Sequence, residues 1–318
     1  MCVKLERDYS MYEVNTFEVS SSAINKLCKH RELPLSSVKE MLEGESFVNL
    51  TNEANSQSVL AHIEASEKLV HVNTKDIQFQ GWKPRDKAQS CYFWSLKNKQ
   101  LTICFGAAGT GKTSIALAAG VQRLFKEDKK LILCKPTTFV GMKSNAIAAV
   151  PGDEKDKLRP YVDSYMPGLT KILGRNVQHY LYEWEEKGLI DFRAVELMRG
   201  QHFEDCTLIL DEAQNLSLHE LASVLSRVGE NSHVVVLGDP AQIDTRSRWH
   251  DTGLYLFADS MSIHDSDFIG MVKLESQYRG PMAGLCQEIL AEYSQLNDEA
   301  DDDFITTLPR FVGGNQTR

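Results

Sequence analysis

No apolar run in this sequence approaches the roughly 20 residues needed to span a bilayer. No membrane span is therefore expected. Nor is there a CxxC or CxxH spacing. The seven cysteines, at positions 2, 28, 91, 104, 134, 206 and 286, suit neither a disulfide framework nor a zinc site. Cys104, Cys134 and Cys206 lie in or beside apolar runs and read as small buried core residues. Basic charge is also short. Lys and Arg number 35 against 44 Asp and Glu, for a net charge of −9. That balance excludes a protein that holds nucleic acid through bulk positive charge, though a local basic groove remains allowed. No period of 20–50 residues repeats, which argues against solenoids and propellers. The opening residues, MCVKLERDYS, carry charge where a signal peptide needs an apolar core. A soluble, cytoplasmic protein is the expectation.

What is present is a rhythm of short apolar runs and helical stretches. The runs are Leu101–Phe105, Lys130–Cys134, Thr207–Leu210, His233–Leu237 and Phe268–Leu274. Ser114–Leu124 and Leu216–Val228 carry apolar residues at helical spacing between them. Near-continuous apolar strands alternating with helices predict a parallel sheet covered on both faces. Three regions follow: a small N-terminal domain at 1–76, a core at 77–293, and an acidic, flexible tail at 294–318. Within the core, 141–205 is a charged, proline-bearing insertion between two strands. An insertion of that length is expected to be functional.

After the first core run stands Gly106-Ala107-Ala108-Gly109-Thr110-Gly111-Lys112-Thr113, which fits G-x-x-x-x-G-K-[ST] in full. The glycines let successive backbone N–H groups converge on one anion, and the helix opening at Ser114 adds its partial positive end. Lys112 is expected on the β- and γ-phosphates of ATP and the Thr113 hydroxyl on Mg²⁺. Farther on, Thr207-Leu-Ile-Leu-Asp211-Glu212 is a strand ending in two carboxylates. Adjacent residues at a strand end point different ways. Asp211 can serve the metal while Glu212 faces an attacking water as general base. A third motif, Gly238-Asp239-Pro240-Ala241-Gln242-Ile243-Asp244, follows another strand. Gln242 is placed to bond a γ-phosphate oxygen and that water.

These stretches together resemble the PhoH-like family of P-loop ATPases, relatives of superfamily 1 helicases. The resemblance rests on the phosphate loop, ILDEAQN at 209–215, GDPAQID at 238–244, Lys135-Pro136-Thr137-Thr138, and Val150-Pro151-Gly152-Asp153 with Lys157 and Arg159. It covers roughly residues 80–292. It implies an α/β, RecA-like P-loop NTPase core beside a small α+β N-terminal domain, Mg-ATP as substrate and a link to RNA or single-stranded DNA. It also implies a homo-oligomeric ring, hexameric by expectation. Gln89 resembles the glutamine that reads adenine in such enzymes, and Arg279 the arginine that neutralises γ-phosphate charge, with Arg199 or Arg159 as substitutes. Arg246 and Arg248 are weaker candidates for that task.

The nucleic-acid surface stays open at this point. Lys135, Thr137, Thr138 and Lys143, the insertion's Lys155, Lys157 and Arg159, and the stretch from Trp82 to Trp94 are candidates. Tyr92, Phe93 and Trp94 could equally face the core. Ser20–His30 and Ser36–Glu43 read as two short helices about a Glu32-Leu-Pro34 turn, a faint helix-turn-helix. Phe47–Leu50 and Leu69–Asn73 read as strands of the same small domain. Pro281–Tyr293 reads as a further helix. With one phosphate loop the chain lacks the second core that a monomeric translocase needs. An ATP-gated assembly switch and a small-molecule kinase are the rival functions.

Overall fold

The computed structural model describes residues 12–38, 42, 45–136, 154–198, 200–240, 242–243, 251–260, 267–278, 285 and 289. The side chains of residues 55, 154–158, 160 and 161 fall outside that set. The helix expected at Pro281–Tyr293 and the acidic tail lie outside the described residues, apart from positions 285 and 289.

The N-terminal region is a five-stranded sheet. Its elements are β1 (Asn15–Glu18), α1 (Ser21–His30), β2 (Glu32–Pro34), β3 (Phe47–Asn52), β4 (Gln57–Glu64) and β5 (Lys68–His71). The order is β1-β3-β4-β5-β2, with β1 parallel to β3 and the other pairs antiparallel. The Ser20 hydroxyl caps α1 by accepting from the Ala23 N–H at 3.3 Å. Ile24 and Leu27 of α1 are buried with Leu33, Val48, Leu50 and Leu69.

The helix-turn-helix expectation fails here. Glu32–Pro34, expected as the turn, is an edge strand paired with Lys68–Val70, and a 3-10 turn at Leu35–Ser37 stands at the start of the span expected as the second helix. Residues 39–41 and 43–44 lie outside the described set. Pro34 lacks a ladder N–H, which an edge strand tolerates.

The larger sheet follows α2 (Lys87–Asn98). It comprises β6 (Leu101–Gly106), β7 (Lys130–Lys135), β8 (Ile190–Ala194), β9 (Cys206–Leu210), β10 (His233–Gly238) and β11 (Ile269–Leu274). All pairs are parallel, in the order β11-β6-β10-β9-β7-β8. Alternation along each strand builds two cores. Leu131, Leu133, Ile209, Val235 and Leu237 pack on one face with α3 (Lys112–Glu127) and α4 (Glu154–Leu173). Ile132, Cys134, Leu208, Leu210, Val234 and Val236 pack on the other with α6 (Leu218–Leu225) and α7 (Gly253–Ala258). This is the two-faced parallel sheet that the apolar runs predict. Cys104, Cys134 and Cys206 are buried as expected.

The insertion holds more order than its charge suggests. It supplies α4, α5 (Val177–Glu186) and the edge strand β8, which sequence reading did not anticipate. Ile190, Phe192 and Ala194 are buried while Asp191 and Arg193 point outward and pair with each other. Tyr92, Phe93 and Trp94 are all buried in the core, so none is a base-stacking platform.

The two sheets meet at α2 and β11. Phe47 and His62 pack on Trp94, with ring centroids 5.9 Å and 5.2 Å away. Lys99 is buried at this seam. It donates to Glu64 at 3.2 Å and to the Asp267 carbonyl at 2.6 Å.

Candidate functional site

The phosphate loop leaves the carboxyl end of β6 and runs into α3. Gly106, Gly109 and Gly111 adopt φ of +147°, +90° and +100°. At Gly106 a side chain is impossible on two counts, since a Cβ would also stand 2.4 Å from the Leu274 carbonyl oxygen. The Thr110 hydroxyl donates to the Ala107 carbonyl at 2.9 Å and steadies the loop from within. Lys112 is buried and folds back on the loop, donating to the Gly106 carbonyl and, at 3.0 Å, to that of Ala107.

Two flanking elements fasten the loop. Gln89 of α2 is buried; its amide donates to the Thr110 carbonyl at 3.2 Å and accepts from the Arg85 N–H at 3.0 Å. Gln89 therefore lies against the loop at the cavity wall, and its amide also braces it. The Tyr278 N–H, just after β11, donates to the Gly109 carbonyl at 3.1 Å. The Tyr278 hydroxyl donates to Asp86 at 2.6 Å, and the Arg85 guanidinium sits 4.9 Å from its ring centre. This latch ends one residue before Arg279, which itself lies outside the described residues, as do Arg199, Asp244, Arg246 and Arg248.

The carboxylates arrive from β9. The Thr113 hydroxyl donates to Asp211 Oδ2 at 3.1 Å, while Asp211 Oδ1 accepts from the Glu212 N–H at 3.1 Å. Burial raises the pKa of Asp211; the neighbouring Glu212 adds to the rise, and Lys135 and Lys112 oppose it. A cation beside this buried carboxylate would offset that cost. Two oxygens 3.1 Å apart also match adjacent ligands of an octahedron with bonds of ~2.1 Å. Among the described residues no cluster of three His, Cys, Asp or Glu could hold a metal by itself. The donor set thus fits Mg²⁺ that takes its other ligands from phosphate and water.

Glu212 sits in the left-handed region, at φ +56° and ψ +36°. Such strain in a non-glycine residue persists where surroundings over-determine it. Here two contacts hold its carboxylate. Lys135 Nζ stands 3.5 Å from Glu212 Oε1, and Gln214 Nε2 donates to Oε2 at 2.8 Å. The same Gln214 nitrogen donates to the Gln242 carbonyl at 2.8 Å, and its oxygen accepts from the Asp239 N–H at 3.1 Å. One buried amide thereby joins the second motif to the third. Gln214 had no assigned role in the sequence reading. Its place in the ILDEAQN stretch, two residues past Glu212, is the sequence signal that marks it. Lys135, one of the candidates for a nucleic-acid surface, stands beside Glu212. Thr137, Thr138 and Lys143 lie outside the described residues, as do the side chains of Lys155 and Lys157, and Arg159 is exposed.

A cavity of about 480 Å³ opens over this assembly. Ala108, Gly109, Gly111, Lys112, Thr113 and Ser114 line it together with Gln89, Asp211, Glu212 and Gln242. Of the expected nucleotide cradle, Gly106, Ala107 and Thr110 lie behind that surface as its support. The insertion contributes a wall that the sequence left unassigned, through Tyr165, Gly168 and Lys171 of α4.

A parallel sheet with a glycine-rich loop, a lysine and a carboxylate-ended strand at its carboxyl edge defines a P-loop nucleoside-triphosphate-binding protein. The comparisons narrow the class. The sequence profile described as PhoH-like protein matches residues 82–293. "Protein PhoH2" of Bacillus subtilis (strain 168) is 35% identical over 176 residues, covering 53% of this chain and 39% of that protein. "Protein PhoH" of Escherichia coli (strain K12) is 32% identical over 212 residues, 66% of this chain and 57% of that protein. "PhoH-like protein" of Bacillus subtilis (strain 168) is 33% identical over 172 residues, 54% and 52% respectively. The chain belongs to the PhoH-like family, whose members are generally ATP-binding proteins. It spans between 39% and 57% of the length of these relatives. Among the described residues no helix is long and apolar enough to cross a membrane.

Proposed function

We propose that the protein is a Mg-dependent ATP hydrolase, coupled to RNA or single-stranded DNA and working as a ring oligomer. The observation that carries the hydrolase reading is the placement of Thr113, Asp211 and Glu212. A metal-binding pair, 3.1 Å apart, stands beside a carboxylate fixed by Lys135 and Gln214. Mg²⁺, when bound, would neutralise charge on the β- and γ-phosphates. Thr113 and Asp211 would hold it. Lys112 would exchange its loop carbonyls for phosphate oxygens, and the loop N–H groups would orient the chain. Glu212 would accept the proton of the attacking water, and Gln242 would position that water against the γ-phosphate. Water activation sets this reading above phosphoryl transfer to a small molecule.

The nucleic-acid link and the ring draw their support from the family resemblance. A second reading, the ATP-gated assembly switch, is favoured by the Gln214 link, because that amide can relay γ-phosphate occupancy from Gln242 to Glu212. Phosphate release, measured with and without single-stranded RNA and DNA on a size-defined oligomer, tests both. Stimulation by nucleic acid is expected. Unstimulated turnover with ATP-dependent oligomerisation would establish the switch instead.

A further inference from the structure

The cavity extends past the phosphate loop, and its far wall belongs to the insertion. Tyr165 of α4 is fully buried, and its hydroxyl donates to the Cys134 carbonyl at 3.3 Å. That carbonyl also accepts from the Asp211 N–H at 2.9 Å, and the next residue is Lys135, the partner of Glu212. The helix is therefore pinned to the catalytic edge of the sheet. One turn on, Gly168 packs on α3 so closely that a Cβ would stand 2.7 Å from a Leu117 methyl. Tyr165, Gly168 and Lys171 follow at three-residue spacing, and all three line the cavity with Pro167. Trp82 and Leu117 line it as well.

Leu117 lies five residues along α3 from Lys112, about 7.5 Å at 1.5 Å per residue. Lys112 is placed for the terminal phosphates and Lys171 lines the same cavity from α4, so a nucleotide running from Lys112 toward α4 would bring its sugar to Lys171. Lys171 is exposed, so its ammonium is free of any desolvation cost before a ligand arrives.

We propose that α4 is the nucleoside wall of the site and that the Lys171 ammonium donates to the ribose hydroxyls of the bound nucleotide. This rests on the nucleotide reading given above. It makes the insertion a part of substrate recognition, joined through Tyr165 to the strand end that bears the catalytic carboxylates.

Calorimetric titration with Mg-ATP, 2′,3′-dideoxy-ATP and inorganic tripolyphosphate tests it on wild type, Lys171→Met and Lys112→Ala. Lys171→Met keeps the stem and removes the charge, and its melting temperature should match wild type. A charged hydrogen bond lost should weaken ATP about tenfold. Dideoxy-ATP should bind wild type and Lys171→Met alike, and tripolyphosphate should be unchanged. Equal loss for tripolyphosphate would overturn the proposal, because a general field effect acts at least as strongly on the more highly charged ligand. Unchanged ATP affinity would overturn it too. Lys112→Ala should lose all three ligands; retained ATP binding there would defeat the phosphate-loop reading instead.

Discussion

The two sheets differ in how their strands are specified. In the parallel core, Leu131–Cys134 and Val234–Leu237 are apolar at every position, because helices cover both faces. Such short, β-branched-rich apolar runs suit strands buried on both faces. In the N-terminal sheet, β2 buries Leu33 alone, and its strand state exists only through pairing with β5. The core's strands are thus local statements, whereas the small sheet's edge is a tertiary one. The same contrast reaches function: the motifs lie at strand ends of the core, and the small sheet meets the core at α2 and β11.

Two experiments sharpen that contrast, the larger effect coming first. Gln214→Ala removes the amide that joins Glu212, Gln242 and Asp239 within the core. Misplacing a reacting group by about 1 Å costs on the order of 10²-fold. Turnover should fall by about that factor while the KM for ATP changes less than twofold. A matched rise in KM would show that Gln214 serves binding rather than positioning of Glu212.

The seam between the sheets gives the smaller effect. Burial, and next the Lys99 ammonium, push the pKa of His62 from 6.5 down to about 3, against the raising influence of the Ser46 carbonyl. The folded state therefore keeps His62 neutral, while the unfolded chain takes up a proton below pH 6.5. Stability is complete above that pH and declines as pH falls toward 3. At pH 5 the loss is about 2 kcal/mol. Denaturant titrations at pH 7.5 and pH 5 should show it for wild type, and His62→Asn, which can still bond the Ser46 carbonyl, should flatten the difference. An equal pH dependence in both proteins would detach His62 from the stability of the seam.

Legibility followed the same division. Five core strands, the phosphate loop and the grouping of Asp211, Glu212 and Gln242 at one cavity were readable because each is marked by a local pattern. β8 was missed because an edge strand alternates, and Asp191 and Arg193 disguised it inside a charged insertion. Gln214 and Tyr278 were missed because their roles exist only in three dimensions, through a carbonyl or a carboxylate far along the chain. The aromatic run at Tyr92–Trp94 was readable in either direction until α2 placed all three residues in the core.

The central claim is that a carboxylate held in a strained backbone conformation activates water beside a metal-bound triphosphate. Multiple-turnover phosphate release at saturating Mg-ATP, compared between wild type and Glu212→Gln, tests it most directly. Unchanged ATP affinity and turnover lowered about 10²–10⁴-fold, the usual contribution of a general base, are expected. Wild-type turnover in Glu212→Gln would contradict it.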